Sequence, residues 1–260
     1  ISTSKCSNLF FNSTNKDKKA LEVDNGRVIS AAALTTIITE VDYKIIISQY
    51  DFDEEKITKV KVAKKKSLCK ELKNKIMEFY FNKTTLKQAD DDPNYDEDKA
   101  YNYARSKELL NGIYGMHVTN PCKEDYTFNS DSHEVESNLR DSSELLDEYY
   151  SSFSSFLSYQ VGIWVTAYAR LWLQEGIDCC YNPGTGLSDL IYCDTDSCKY
   201  LNPDMHEEAF NKLNEKRKKL ADKNGAYVDY KGKQYYLGIF EDEPRAIKFK
   251  TFGAKKYMYS

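Results

Sequence analysis

A chain of 260 residues, 41% apolar and 30% charged, is long enough to bury a sizeable core and reads as a soluble globular protein of one large domain or two small ones. Its formal net charge of −4 gives no global support for nucleic-acid binding and leaves that question to two local basic patches, "KVAKKK" at residues 61–66 and "KFKTFGAKKY" at 248–257. Seven dispersed cysteines without a C-x-x-C pair, with only three histidines, argue against zinc and fit a reducing cytoplasm, and no apolar run approaches the ~20 residues that cross a bilayer.

In chain order, residues 1–20 are polar and are expected to form a loop. Residues 33–52, "ALTTIITEVDYKIIISQYDF", begin with helix-like spacing and turn β-branched at "YKIIISQYDF", which predicts a strand there. The lysine run at 61–66 carries no motif and reads as a solvated face. Apolar residues Leu68, Leu72, Ile76 and Phe79, with Phe81 beyond, predict an amphipathic helix. "ADDDPNYDED" is a surface turn before a second helix, "EDKAYNYARSKELLNGIYG", for which Gly115 is the expected stop. Residues 118–145 are polar, a loop or small insertion. Residues 142–177 are strongly periodic and predict one or two helices, the second mostly buried. After the turn "NPGTG", "LIYCDTDSCKYL" reads as two short strands joined at the acids. "HEEAFNKLNEKRKKLADKNG" is a charged surface helix, and "QYYLGIFED", "AIKFKTFG" and "KKYMYS" are closing strands. The mixed order defines an α+β fold.

The acids carry the chemical interest. Asp194 and Asp196 follow an apolar strand, and carboxylates are rarely buried without a partner. They share a face if the strand continues and crowd the tip if the chain turns. Two like charges so close call for a cation, and Mg²⁺ suits oxygen ligands. A solvated turn is the competing reading, while an EF-hand loop fails because Lys199 stands at its sixth position. On the second helix, Lys99, Tyr103, Lys107 and Asn111 recur every four residues on one slowly drifting face, with Tyr114 three beyond Asn111. A lysine, an amide and a phenol in that order can hold a triphosphate, a sugar and a base; a wet polar face is the plain alternative.

Together, "NGIYG" and "YCDTDS" resemble two signature motifs of family B DNA polymerases, K-x-x-x-N-S-x-Y-G and Y-x-D-T-D-S, in their order. The likeness is to the protein-primed phage or organellar branch. Lys255-Lys256-Tyr257 resembles the family's K-x-Y element, and "VGIWVTAYARLWL" its helix before the acidic hairpin. The resemblance spans residues 30–260. It implies a palm, an antiparallel sheet with packed helices, plus helical fingers, truncated at both ends. Residues 1–52 would be an N-terminal palm segment, 53–117 the fingers, 118–157 an insertion or connector, and 158–260 the palm with the acidic hairpin and primer-contacting strand. Asp196 would ligate two Mg²⁺ ions, or Mn²⁺, with Asp194 as a supporting carboxylate. Lys107 would bind the triphosphate of the incoming dNTP, and Asn111 and Tyr114 would line the nascent base pair. Lys255 and Tyr257 would hold the primer strand. The implied chemistry is two-metal nucleotidyl transfer on primer-template DNA, with a terminal protein primer left open, in a cytoplasmic or organellar setting.

The pattern also departs from the family. Gly112 stands where Ser is usual, Met116-His117 replaces a basic residue, and Tyr103 replaces a second finger lysine, for which Lys99 or Arg105 could compensate. The family's other carboxylate motif, D-x-x-S-L-Y-P, is not in the sequence, and neither the exonuclease nor the thumb is expected in it. Ile1 and Ser260 read as cuts through a longer protein, and the isolated chain is expected not to polymerise. Two other readings stand: a D-x-D glycosyltransferase using Mn²⁺, and a polymerase remnant that binds DNA without chemistry.

Overall fold

The computed structural model describes residues 20–24, 27–64, 66–89, 92–138, 140–153, 155–253 and 255–260. The loop expected over residues 1–20, with Cys6, falls almost wholly outside them. The fold is α+β, with six helices and six antiparallel hairpins among the described residues. In order, these are β1 (Leu21–Asp24), β2 (Arg27–Ala31), α1 (Glu40–Gln49), α2 (Lys70–Thr85), α3 (Glu97–His117), β3 (Asp125–Asn129) and β4 (Glu134–Asn138). Then come α4 (Ser142–Ser151), α5 (Tyr159–Cys179), β5 (Tyr181–Asn182), β6 (Leu187–Ser188), β7 (Leu190–Asp194) and β8 (Ser197–Tyr200). The chain closes with α6 (Pro203–Asn224), β9 (Tyr227–Tyr230), β10 (Lys233–Tyr236), β11 (Phe249–Gly253) and β12 (Lys256–Tyr259). Each strand pairs with its sequence neighbour, and no larger sheet joins the hairpins among the described residues. No described helix is long and apolar enough to cross a membrane.

Helix α5 is the organising element. Helices α1, α3 and α6 and strand β8 all pack against it. Its buried positions Gly162, Ala167, Leu173, Gln174, Gly176 and Ile177 follow a helical stripe, and Val41, Ile45, Ile46, Leu213 and Val28 add to the core. Gly162 has a steric reason: a Cβ there would fall inside the Val118 side chain just beyond α3.

Several expectations are corrected. "YKIIISQYDF" is not a strand but most of α1. Thr39 and Asp42 form a reciprocal capping box, and Val41, Ile45 and Ile46 fall on one buried face. The cap and that face outweigh the modest β preference of three isoleucines. Helix α3 passes through Gly115 and stops at Val118, because Gly115 stays at negative φ and Val118 is pinned against α5. The polar stretch 118–145 holds the β3–β4 hairpin, and residues 142–177 divide into α4 and α5. "QYYLGIFED" is a strand only to Tyr236; the chain then turns at Gly238, whose φ of +84° and close approach to Trp172 suit glycine alone.

One ion pair locks α1 to α5. Arg170 donates from Nε to Asp42 Oδ1 at 2.6 Å and from Nη2 to Oδ2 at 2.9 Å. Burial pushes the Asp42 carboxyl up, but the hydrogen bonds from Arg170 and Thr39 outweigh it and hold the group below its ordinary value. A depressed folded pKa contributes stability that is complete above about pH 4 and lost as pH falls through the folded value. Asp42→Asn is therefore expected to cost about 1–3 kcal/mol at neutral pH, tempered by the partial solvation of Arg170. The variant should also flatten the acid limb of stability against pH, read by urea unfolding between pH 3 and 7. Parallel wild-type and variant curves would refute this role.

Candidate functional site

Strands β7 and β8 form the acidic hairpin, with Tyr192 opposite Lys199, Cys193 opposite Cys198 and Asp194 opposite Ser197. Asp194 is the last strand residue and Asp196 the second of two turn residues, so the acids crowd the tip rather than share a strand face. The Asp196 N–H donates to the Asp194 carbonyl at 2.6 Å around Thr195, whose φ is +51°. This tight γ-turn puts a β-branched residue in a strained backbone region, and such strain is concentrated at functional sites. Asp194 Oδ1 accepts from Thr195 Oγ1 at 2.9 Å, and the Tyr192 hydroxyl lies 3.5 Å from Oδ2. Asp196 is exposed, and its carboxylate has no partner among the described residues.

Strands β11 and β12 bring the Lys-x-Tyr element to this hairpin. The Lys255 backbone N–H donates to the Tyr192 hydroxyl at 2.8 Å. The Tyr257 ring lies 5.4 Å from Tyr192 and 5.5 Å from Phe249, which is itself 6.0 Å from Tyr192. Three rings thus clamp the two hairpins, and the Lys255 and Tyr257 side chains stay on the exposed side.

Lys107, Asn111 and Tyr114 occupy one side of α3, within about 60° of arc. Lys107 and Asn111 are exposed, Tyr114 is half-buried toward Gly162, and none makes a side-chain hydrogen bond or ion pair among the described residues. Their face is opposite a groove of about 590 Å³ that Phe79, Tyr101, Arg105, Leu109 and Met116 line between α2 and α3. A Cβ at Gly112 would meet nothing within 4 Å, so this departure from Ser is sterically silent. Helix α3 meets α5 at Gly162, and Cys198 of β8 meets it at Gly176. Those points lie about 20 Å apart along the helix. The acids, Lys255 and Tyr257 are therefore assembled, while the α3 residues stand apart on the same support.

Residues that sequence reasoning missed hold the base of the hairpin. Asp189 Oδ2 lies 2.9 Å from His206 Nε2 and accepts from Asn202 and Asn182, each at 3.1 Å. The His206 and Asn202 hydrogen bonds hold the Asp189 carboxyl below its ordinary value. His206 is buried. A third acid just before the "LIYCDTDS" strand, and a histidine in an otherwise charged helix start, were the available signals. Beneath the hairpin, burial pushes the Cys179 thiol up to about 11, and the Cys180 hydrogen bond lowers Cys198.

No group of three His, Cys, Asp or Glu side chains among the described residues converges in metal-ligand geometry. The unpaired Asp196 carboxylate and the half-engaged Asp194 are the oxygens that would hold a Mg²⁺ ion. They do not complete a protein cage. Comparison of the chain with protein-family models, with curated proteins and with solved structures finds no match in any of the three.

Proposed function

We propose that this chain carries part of the nucleotidyl-transfer centre of a family B-type DNA polymerase, acting on primer-template DNA and dNTPs. The single observation that supports the reading is the Tyr192–Lys255 hydrogen bond, which joins two motifs more than sixty residues apart at one place. A carboxylate tip beside an exposed Lys-x-Tyr element is what a primer 3′ end requires: an anion pair for the metal and a cation for the backbone phosphate. Asp196, unpaired and exposed, is the metal ligand, and Asp194 supports it. Bound Mg²⁺ supplies Lewis-acid stabilisation of the phosphoryl group and a lowered pKa at the primer hydroxyl. Lys107 as the triphosphate contact and Asn111 and Tyr114 as the base-pair lining would require α3 to approach the acidic hairpin, from which the structure keeps it apart. The D-x-x-S-L-Y-P motif is not in the 260 residues, so in this reading the acidic hairpin provides one half of the clamp. In this reading the acidic hairpin and β11–β12 are palm elements, and α2 and α3 are fingers.

The test is primer extension with Mg²⁺ and dNTPs, comparing the 260-residue chain with the product of its whole reading frame. The 260-residue chain is expected to bind primer-template DNA without extending it, and a product that also carries the D-x-x-S-L-Y-P motif to extend. A product with both motifs that binds DNA and incorporates nothing would leave the DNA-binding remnant as the better reading. A chain that binds no DNA and hydrolyses a sugar nucleotide with Mn²⁺ would favour the glycosyltransferase.

A further inference from the structure

The geometry points to Cys180 and Cys198 as an oxidisable pair that a peroxide joins in a disulfide, stapling the acidic hairpin to the end of α5. The two cysteines lie on different elements, Cys180 at the C-cap of α5 and Cys198 in β8. Both sulfurs sit over Gly176. Cys180 Sγ is 3.4 Å from the Gly176 carbonyl oxygen, and Cys198 Sγ is 3.4 Å from the point a Cβ would occupy on the same glycine. Both sulfurs therefore stand at the same turn of α5. Cys193 is the competing partner, because it stands directly opposite Cys198 in the hairpin. The Cys198 sulfur, however, is turned onto α5, where Cys180 waits.

Exposure sets the order of the chemistry. Cys180 is fully buried and Cys198 is only partly so, which makes Cys198 the sulfur a small oxidant meets first. Its sulfur attacks one oxygen of hydrogen peroxide; the O–O bond breaks, leaving a sulfenic acid and one water. The Cys180 sulfur then attacks the Cys198 sulfur. The S–O bond breaks, and the departing hydroxide takes the Cys180 proton as a second water. Two thiols lose two protons and two electrons, and one peroxide becomes two waters. The bond would tie β8, two residues beyond Asp196, to the helix that supports the site. Its formation is independent of the polymerase reading, since the readout is a covalent link.

The experiment treats the whole 260-residue chain briefly with hydrogen peroxide, alkylates the remaining thiols and digests with chymotrypsin. Cleavage after Tyr181 and Tyr192 separates Cys180 from the peptide of residues 193–200. The expected product joins Cys180 to that peptide through Cys198, leaves Cys193 alkylated and disappears with dithiothreitol. A Cys179→Ser variant run in parallel removes the neighbouring thiol and should give the same link. Cys198 found joined to Cys193 or Cys179, carried to sulfinic acid, or still alkylated in both proteins would overturn the assignment.

Discussion

Replacing Arg217 with alanine is expected to cost about 3–5 kcal/mol of folding free energy, read as a drop in the urea midpoint by circular dichroism. Arg217 is 5% exposed, on the inner face of α6. Its guanidinium lies between the Trp172 and Phe240 rings, 5.0 Å and 4.8 Å from their centroids. Nη1 donates to the Gly238 carbonyl at 3.0 Å, and Nη2 donates to the Trp172 carbonyl at 2.8 Å and to Glu175 Oε2 at 3.3 Å. Truncation strands two carbonyls and opens a slot between two rings, which sums a cavity and a desolvation cost. Lys216 still pairs with Glu175 at 2.7 Å, so that carboxylate is not orphaned and the loss should sit toward the lower end. Arg217→Lys should recover only part, because a lysine cannot stack or fork to two carbonyls. A loss under about 1 kcal/mol in the alanine variant would show that the sandwich is not a structural anchor.

Asp196→Ala should have the opposite profile: in a product that carries both carboxylate motifs and extends a primer, synthesis falls by at least about 10³-fold, while folding stability of the 260-residue chain changes by less than about 0.5 kcal/mol. The rate estimate follows from the several kcal/mol of transition-state stabilisation a metal supplies when its ligand is in place. The stability estimate follows from the exposed turn position and the absence of a side-chain partner among the described residues. Removing one of two adjacent like charges even favours the fold slightly. Primer-template affinity, measured by fluorescence anisotropy, should stay within about twofold, because phosphate contacts and not the acids dominate it. Asp194→Ala should do less to the rate, since that carboxylate is already engaged by Thr195 and Tyr192. Synthesis by Asp196→Ala above a tenth of wild type would remove Asp196 from the metal site.

These two residues mark how far the sequence could be read. Asp196 was legible because a short acidic motif between two strand-like runs is a local pattern, and its hairpin formed where the pattern placed it. Lys107, Asn111 and Tyr114 share a helix face for the same reason, a fixed period of 3.6. Arg217 was not legible. In "HEEAFNKLNEKRKKLADKNG" it is one of many charges, and only the approach of Trp172 and Phe240 from other elements distinguishes it. Helix α1 was misread because three β-branched isoleucines speak for a strand until the Thr39–Asp42 cap and the α5 surface are counted.

Periodicity, turn chemistry and charge settled most of α2, α3, α5 and α6, the β7–β8 hairpin and the α+β class, because each depends on neighbours a few positions away. Distance in sequence carries no such record. That Tyr192 meets Lys255, that Asp189 gathers His206 with two asparagines, and that Cys198 lies over Gly176 of α5 were decided by tertiary packing between separate elements. Such contacts depend on how separately formed elements dock. Docking is set by the fit of whole faces rather than by any local run of residues.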